Sequence, residues 1–153
     1  MTLWDNFPDK LKKSNIEARL SPANIFKFHN NQTNPPKVKF IVLLAQRGDS
    51  INDWFAYLFI NTDINKNVYG KIPGSLNLHK PILKSDYNFL KYDSYIDCNK
   101  IYEVSKDDLY CRCEQNIGTY SGCLNDNDFK DVVENIKKST LIKPELKKAY
   151  NIL

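Results

Sequence analysis

At 153 residues, 42% hydrophobic and 26% charged, the chain is long enough for one real core and too apolar to be disordered. A balance of 22 basic against 18 acidic residues, net +4, excludes the strongly basic composition of a generic nucleic-acid binder, so any RNA contact must rest on a local patch. No apolar run approaches the roughly 20 residues of a bilayer span, and Met1-Thr2-Leu3-Trp4-Asp5 lacks the regions of a signal peptide, so a cytoplasmic protein without membrane contact is expected.

In that compartment Cys98, Cys111, Cys113 and Cys123 are expected to be reduced thiols. Their spacing is not that of a structural zinc site, and no metal or other cofactor is expected.

Residues 1–22 read as a helical extension. Trp4, Phe7 and Leu11 form one stripe, Ile16 with Leu20 a second, Pro8 suits a first turn, and Ser21-Pro22 stops the pattern. From Asn24 the period falls to two. Phe26 and Phe28 share the expected core face of a strand, and Ile25, Lys27 and His29 share the other. A polar, proline-containing loop, 30–36, leads to a strand over Lys37–Leu44, a turn at Arg47–Ser50, and a second apolar strand over Trp54–Ile60, an expected antiparallel pair.

After a loop rich in Asn and Gly, Leu76, Leu78 and Lys80 alternate with Asn77 and His79, a half-exposed strand. Tyr95–Cys98 and Ile101–Val104 are two short strands, Ser105–Leu109 a short helical turn, and Ile117–Tyr120 a last brief strand. Phe129, Val132, Val133 and Ile136 then mark an amphipathic helix with capping candidates from Asn125 to Asp128, and Lys143-Pro144 opens a final helix. The expected fold class is α+β and mostly β: a small barrel or rolled sheet over residues 23–153 with helices packed on it.

The order of segments from Asn24 to Ile142 resembles the MazF/PemK (Kid) toxin family. Lys37-Val38-Lys39-Phe40-Ile41-Val42-Leu43-Leu44 is similar to the family's second strand, in which Arg-Pro precedes an apolar run; here those two positions hold Lys39 and Phe40. Asp93–Lys106 is similar to its later paired short strands. Ile117–Tyr120, a helix, and Ser139-Thr140-Leu141-Ile142 look like its closing elements. The resemblance implies an SH3-like β-barrel; the N-terminal helical extension and the tail after Lys143, which completes the C-terminal helices, are additions to the family's pattern. It also implies a homodimer, a cognate antitoxin, and metal-independent cleavage of RNA through the neighbouring 2′-hydroxyl.

Such a reaction needs a proton-transfer group and a cation for the developing phosphorane charge. His29 can supply the first, since an ordinary histidine titrates near neutrality, or it can be a solvated strand-end residue. Lys37 or Lys39 can steady the phosphate, or merely cover the solvent face of a strand. Thr62 completes the catalytic candidates, with Asn61, His79 and Asp97 as RNA-binding candidates. Tyr57, Tyr87, Tyr92 and Tyr95 are candidate stacking platforms or core residues. Three readings stay open: an endoribonuclease toxin, a barrel without catalysis that binds RNA or protein, and a structural or regulatory subunit docking through its N-terminal helix.

Overall fold

The computed structural model describes residues 9–30, 37–48, 53–63, 70–72, 74–115 and 120–152. The stripe of Trp4 and Phe7 and most of the Ile117–Tyr120 segment therefore lie outside the described residues.

Helix α1 spans Asp9–Arg19. Ile16 and Leu20, the second expected stripe, are buried. The Asn24 side chain closes the helix, its Nδ2 donating to the Arg19 carbonyl at 2.7 Å and to Ser21 Oγ at 3.0 Å. Ala23 adopts a left-handed φ of 75° between helix and strand. Its N–H donates to the Leu43 carbonyl and its own carbonyl accepts from Leu124, so one residue joins two strands that are far apart in sequence.

Strands β1 (Asn24–Asn30), β2 (Lys37–Gly48) and β3 (Asp53–Asn61) form an antiparallel meander. The expected β2–β3 pairing is present, from Phe40 opposite Ile60 to Gly48 opposite Asp53, with an irregularity between Leu43 and Ala45. Phe55 to Ile60 are all buried, because β3 has cores on both faces. That is the physical meaning of its unbroken apolar run.

The segment expected as a strand over residues 76–80 is split. Leu76–Leu78 form a 3-10 turn, and strand β4 begins only at His79 and runs to Ile82. Strands β5 (Ser94–Asp97) and β6 (Tyr102–Ser105) share the free edge of β3 end to end, Ile60 opposite Ile96 and Tyr57 opposite Tyr102. The expected turn after Ser105 is a full helix, α2 (Lys106–Gln115), with Ser105 Oγ accepting from the Asp108 N–H at 3.2 Å. Strand β7 (Tyr120–Cys123) pairs with β1. Helix α3 (Asp126–Lys138) is capped by Asn125, whose Oδ1 accepts from the Asp128 N–H at 2.8 Å, as the capping candidates foretold. Helix α4 (Pro144–Ala149) carries its proline in the first turn.

The strand order is β4-β5-β3-β2-β1-β7, with β6 also on β3, and every pairing is antiparallel. The result is a curled half-barrel; among the described residues no pairing joins β7 to β4. Two apolar clusters form. One places Ile25, Val42, Leu58 and Ile96 with Val132 and Ile136 of α3 and Tyr150 and Ile152 after α4. The other places Phe26, Leu43, Phe55 and Phe59 with Ile16 and Leu20 from the α1 end and Leu109 and Cys113 of α2. The chain is thus α+β with the sheet as its middle layer. Among the described residues no helix is long and apolar enough to cross a membrane.

Candidate nucleic-acid interface

Strand alternation decides which candidate residues can meet. On β2, Lys39 alternates with Phe40 and shares the face of Ile41 and Leu43, which belong to the α1–α2 cluster. On β3, Asn61 shares the face of Phe59, and it pairs with Tyr95 of β5. Tyr95 and Asp97 alternate with Ile96 of the opposite cluster, and Asp97 pairs with His79. Lys39, Asn61, Asp97 and His79 therefore lie on one face of the sheet. Lys39 Nζ donates to Asn61 Oδ1 at 2.7 Å and sits 5.5 Å from the centre of the Phe59 ring.

The remaining candidates are placed differently. Thr62 is exposed just beyond the end of β3. His29 pairs with Val38, Phe28 with Lys39, and Asn30 with Lys37, so His29 and Lys39 occupy alternate positions of the pleat. The side chains of His29 and Lys37 lie outside the described residues.

The same face carries an aromatic cluster. The Phe59 and Tyr102 centroids are 4.5 Å apart, edge to face, and Tyr57 lies 5.6 Å from Phe59 and 5.5 Å from Tyr102. Tyr57 and Phe59 are buried and Tyr102 is half-buried, so Tyr102 is the ring of the three that offers most surface to a ligand. Cations stand around the cluster: Lys39 over Phe59, Lys100 at 4.7 Å over Tyr102, and Arg112 of α2 at 5.9 Å over Phe28. Phe28, Ile41, Tyr57, Phe59, Val104 and Leu109 line a narrow crevice with Arg112 at its side. Burial pushes the Tyr57 phenol above its usual range, with the Arg112 charge opposing that rise. Tyr102, backed by a core and bordered by cations, is suited to one stacked base beside a phosphate chain.

His79 corrects an expectation. It is buried, where its alternation pattern suggested a half-exposed strand residue. The preceding 3-10 turn ends at Leu78, and the chain enters the sheet with His79 already covered. Its Nδ1 lies 3.0 Å from the Ser75 carbonyl, which can only accept, so Nδ1 carries a hydrogen. Its Nε2 faces Asp97 Oδ1 at 3.6 Å. Burial and the Nδ1 hydrogen bond to Ser75 make His79 a strut of the sheet edge, the Asp97 carboxylate lying near Nε2 but beyond hydrogen-bond distance. Asp97 in turn accepts from the Asn99 N–H at 2.9 Å.

Of the tyrosines named from the sequence, Tyr87 is buried and donates its hydroxyl to Asp128, tying the loop before β5 to α3. Tyr92 is exposed. Lys100, Tyr102 and Arg112 escaped the sequence reading, since each becomes a neighbour of Lys39 and Phe59 only through the β3–β6 pairing and the α2 packing.

The four cysteines are free thiols, Cys98 and Cys113 buried, Cys111 and Cys123 exposed. Burial pushes the Cys98 thiol up to about 12. A maleimide at neutral pH should label Cys111 and Cys123 in the folded protein and reach Cys98 and Cys113 only after denaturation, as peptide mass mapping would register.

No family model matches the chain, and neither does any curated protein.

Proposed function

We propose that this chain is an RNA-binding module that holds single-stranded RNA around the half-buried Tyr102, at the margin of the aromatic face that α1 and α2 otherwise cover, a non-catalytic relative of the SH3-like MazF/PemK barrel. The observation that supports it is the set of three cations, Lys39, Lys100 and Arg112, standing over Phe59, Tyr102 and Phe28 of one face. Backbone phosphates pair with the cations while a base stacks on the open surface of Tyr102, a combination tolerant of sequence. A modest net charge is no obstacle, because the positive charge is concentrated where the rings are.

Fluorescence anisotropy with a mixed-sequence single-stranded RNA tests this. Affinity should fall steeply with salt, and Lys39→Ala, Lys100→Ala or Arg112→Ala should each lower the log–log salt slope by about 1. Tyr102→Ala should weaken binding by about 1–3 kcal/mol with the slope kept. Salt-independent binding, or four variants that match the parent, would sink the proposal.

A second reading, the metal-independent endoribonuclease, is favoured by the 2.7 Å Lys39–Asn61 contact, which joins two of the residues that a phosphate would need. His79 is buried, so this reading uses His29 as its proton-transfer group, reaching the phosphate from the other side of the pleat from Lys39, with Thr62 and Lys37 beside the phosphate. A homodimer and a cognate antitoxin belong to the same reading. Its signature is RNA cut in EDTA to 2′,3′-cyclic phosphate ends, with cutting lost in His29→Ala and Lys39→Ala.

A further inference from the structure

Asn61 and Asp97 lie close across the β3–β5 pairing with opposite hydrogen-bonding character. Lys39 Nζ can only donate, so its 2.7 Å contact holds the Asn61 amide with Oδ1 toward the ammonium and turns the donating Nδ2 the other way. Asn61 is half-buried and pairs with Tyr95, and Asp97 stands two residues further along β5 on the same face of the sheet. The two are thus diagonal neighbours, about 7–8 Å apart at Cα, a gap that side chains span. Asp97 Oδ1 accepts from the Asn99 N–H at 2.9 Å and lies 3.6 Å from His79 Nε2. A carboxylate has two oxygens and about four acceptor positions, and 14% of this side chain is exposed, so Asp97 still accepts from a ligand on its open side.

This pair borders the site already described. Tyr102 pairs with Tyr57, while Asp97 stands level with Phe59, two positions further along β3 and about 7 Å away. Charge sorts the parts of a nucleotide there. The carboxylate repels phosphate, which Lys39 and Lys100 attract nearby. What meets Asp97 is therefore the donor-bearing edge of a base. Half-buried Tyr95 and exposed Pro81, its partner on β4, offer the apolar surface beside that edge.

We propose that Asn61 and Asp97 read a guanine next to the base stacked on Tyr102. The proposal rests on the RNA-binding reading above and adds a base preference to it. Unstacked bases are read on their Watson–Crick edges. Of the four, only guanine presents two adjacent N–H donors there, at N1 and N2, with the O6 acceptor beside them. The two donors match the two oxygens of one carboxylate, and O6 accepts from Asn61 Nδ2. Adenine, cytosine and uracil each bring an acceptor to the place where Asp97 needs the second donor.

The test is fluorescence anisotropy of the full chain with uridine oligomers that carry one central guanine, hypoxanthine or adenine. Guanine should bind roughly tenfold more tightly than adenine, the discrimination of one bidentate contact. Hypoxanthine, which keeps O6 and N1–H and lacks the N2 amino group, should fall between them. Asp97→Asn keeps an oxygen for the Asn99 N–H and replaces the other acceptor with a donor, so it should bring the guanine oligomer to the affinity of the adenine one. Equal affinity for guanine and adenine in the parent protein overturns the proposal without any variant, as does a preference that survives Asp97→Asn. Binding without preference leaves the RNA-binding reading standing and refutes only this addition to it. Binding of no oligomer at all brings down both.

Discussion

Phe55→Ala and Ile136→Ala should each destabilise the protein severely, by roughly 3–5 and 2–5 kcal/mol. Phe55 and Ile136 are 1% and 0% exposed and belong to different clusters on opposite faces of one sheet. A closed barrel with a single interior would leave one of its two sheet faces to solvent, and truncation there would cost little. Here β3 runs through the centre with every residue from Phe55 to Ile60 buried, so neither face is spare. Urea unfolding by far-UV circular dichroism measures both changes as shifts in the midpoint at a shared slope. A near-silent Phe55→Ala would mean that α1 and α2 do not form a core with the sheet.

Lys147→Met should cost roughly 3 kcal/mol, a large loss for a lysine. Lys147 is 8% exposed, and its Nζ donates to the Lys137 carbonyl at 3.0 Å and to the Ser139 carbonyl at 2.7 Å. Both carbonyls lie at the C-terminal end of α3, where the helix leaves its last acceptors unpaired and its dipole favours a cation. Methionine keeps the apolar stem and removes the charge and the donors, so the loss reports the hydrogen bonds and not the packing. Lys148→Met, an exposed neighbour, should change stability by no more than about 0.5 kcal/mol. The pair of variants, compared by thermal unfolding, isolates the cap.

Much of the fold was legible in the sequence where a single strong period runs unbroken. The stripe at Phe129, Val132, Val133 and Ile136 became α3, and the two apolar runs became β2 and β3 in the expected pairing. Helix α2 looks like a turn in the sequence because, among its described side chains, only Leu109 and Cys113 are buried, and a cysteine does not register as one of a pair of apolar residues. The start of β4 was misplaced because alternation from Leu76 to Lys80 looks the same whether a 3-10 turn or a strand produces it. The candidate interface was harder still. Lys39 and Asn61 were singled out singly, but their contact depends on the β2–β3 register, which no local pattern contains. Lys100, Tyr102 and Arg112 reach the same face through β6 and α2, elements whose partners are set by tertiary packing. His79 passed for a half-exposed candidate because its partners, Ser75 and Asp97, come from a turn and from a strand distant in sequence.

The location of RNA on the protein tests the central claim most directly. Single-stranded RNA carrying photoreactive 4-thiouridine, crosslinked to the full chain and mapped by peptide mass spectrometry, should attach to Tyr102 and its neighbours on the Lys39–Lys100–Arg112 face. Those crosslinks should fade as salt rises. Crosslinks confined to the outer surfaces of α3 and α4, or none above background at low salt, would contradict the account.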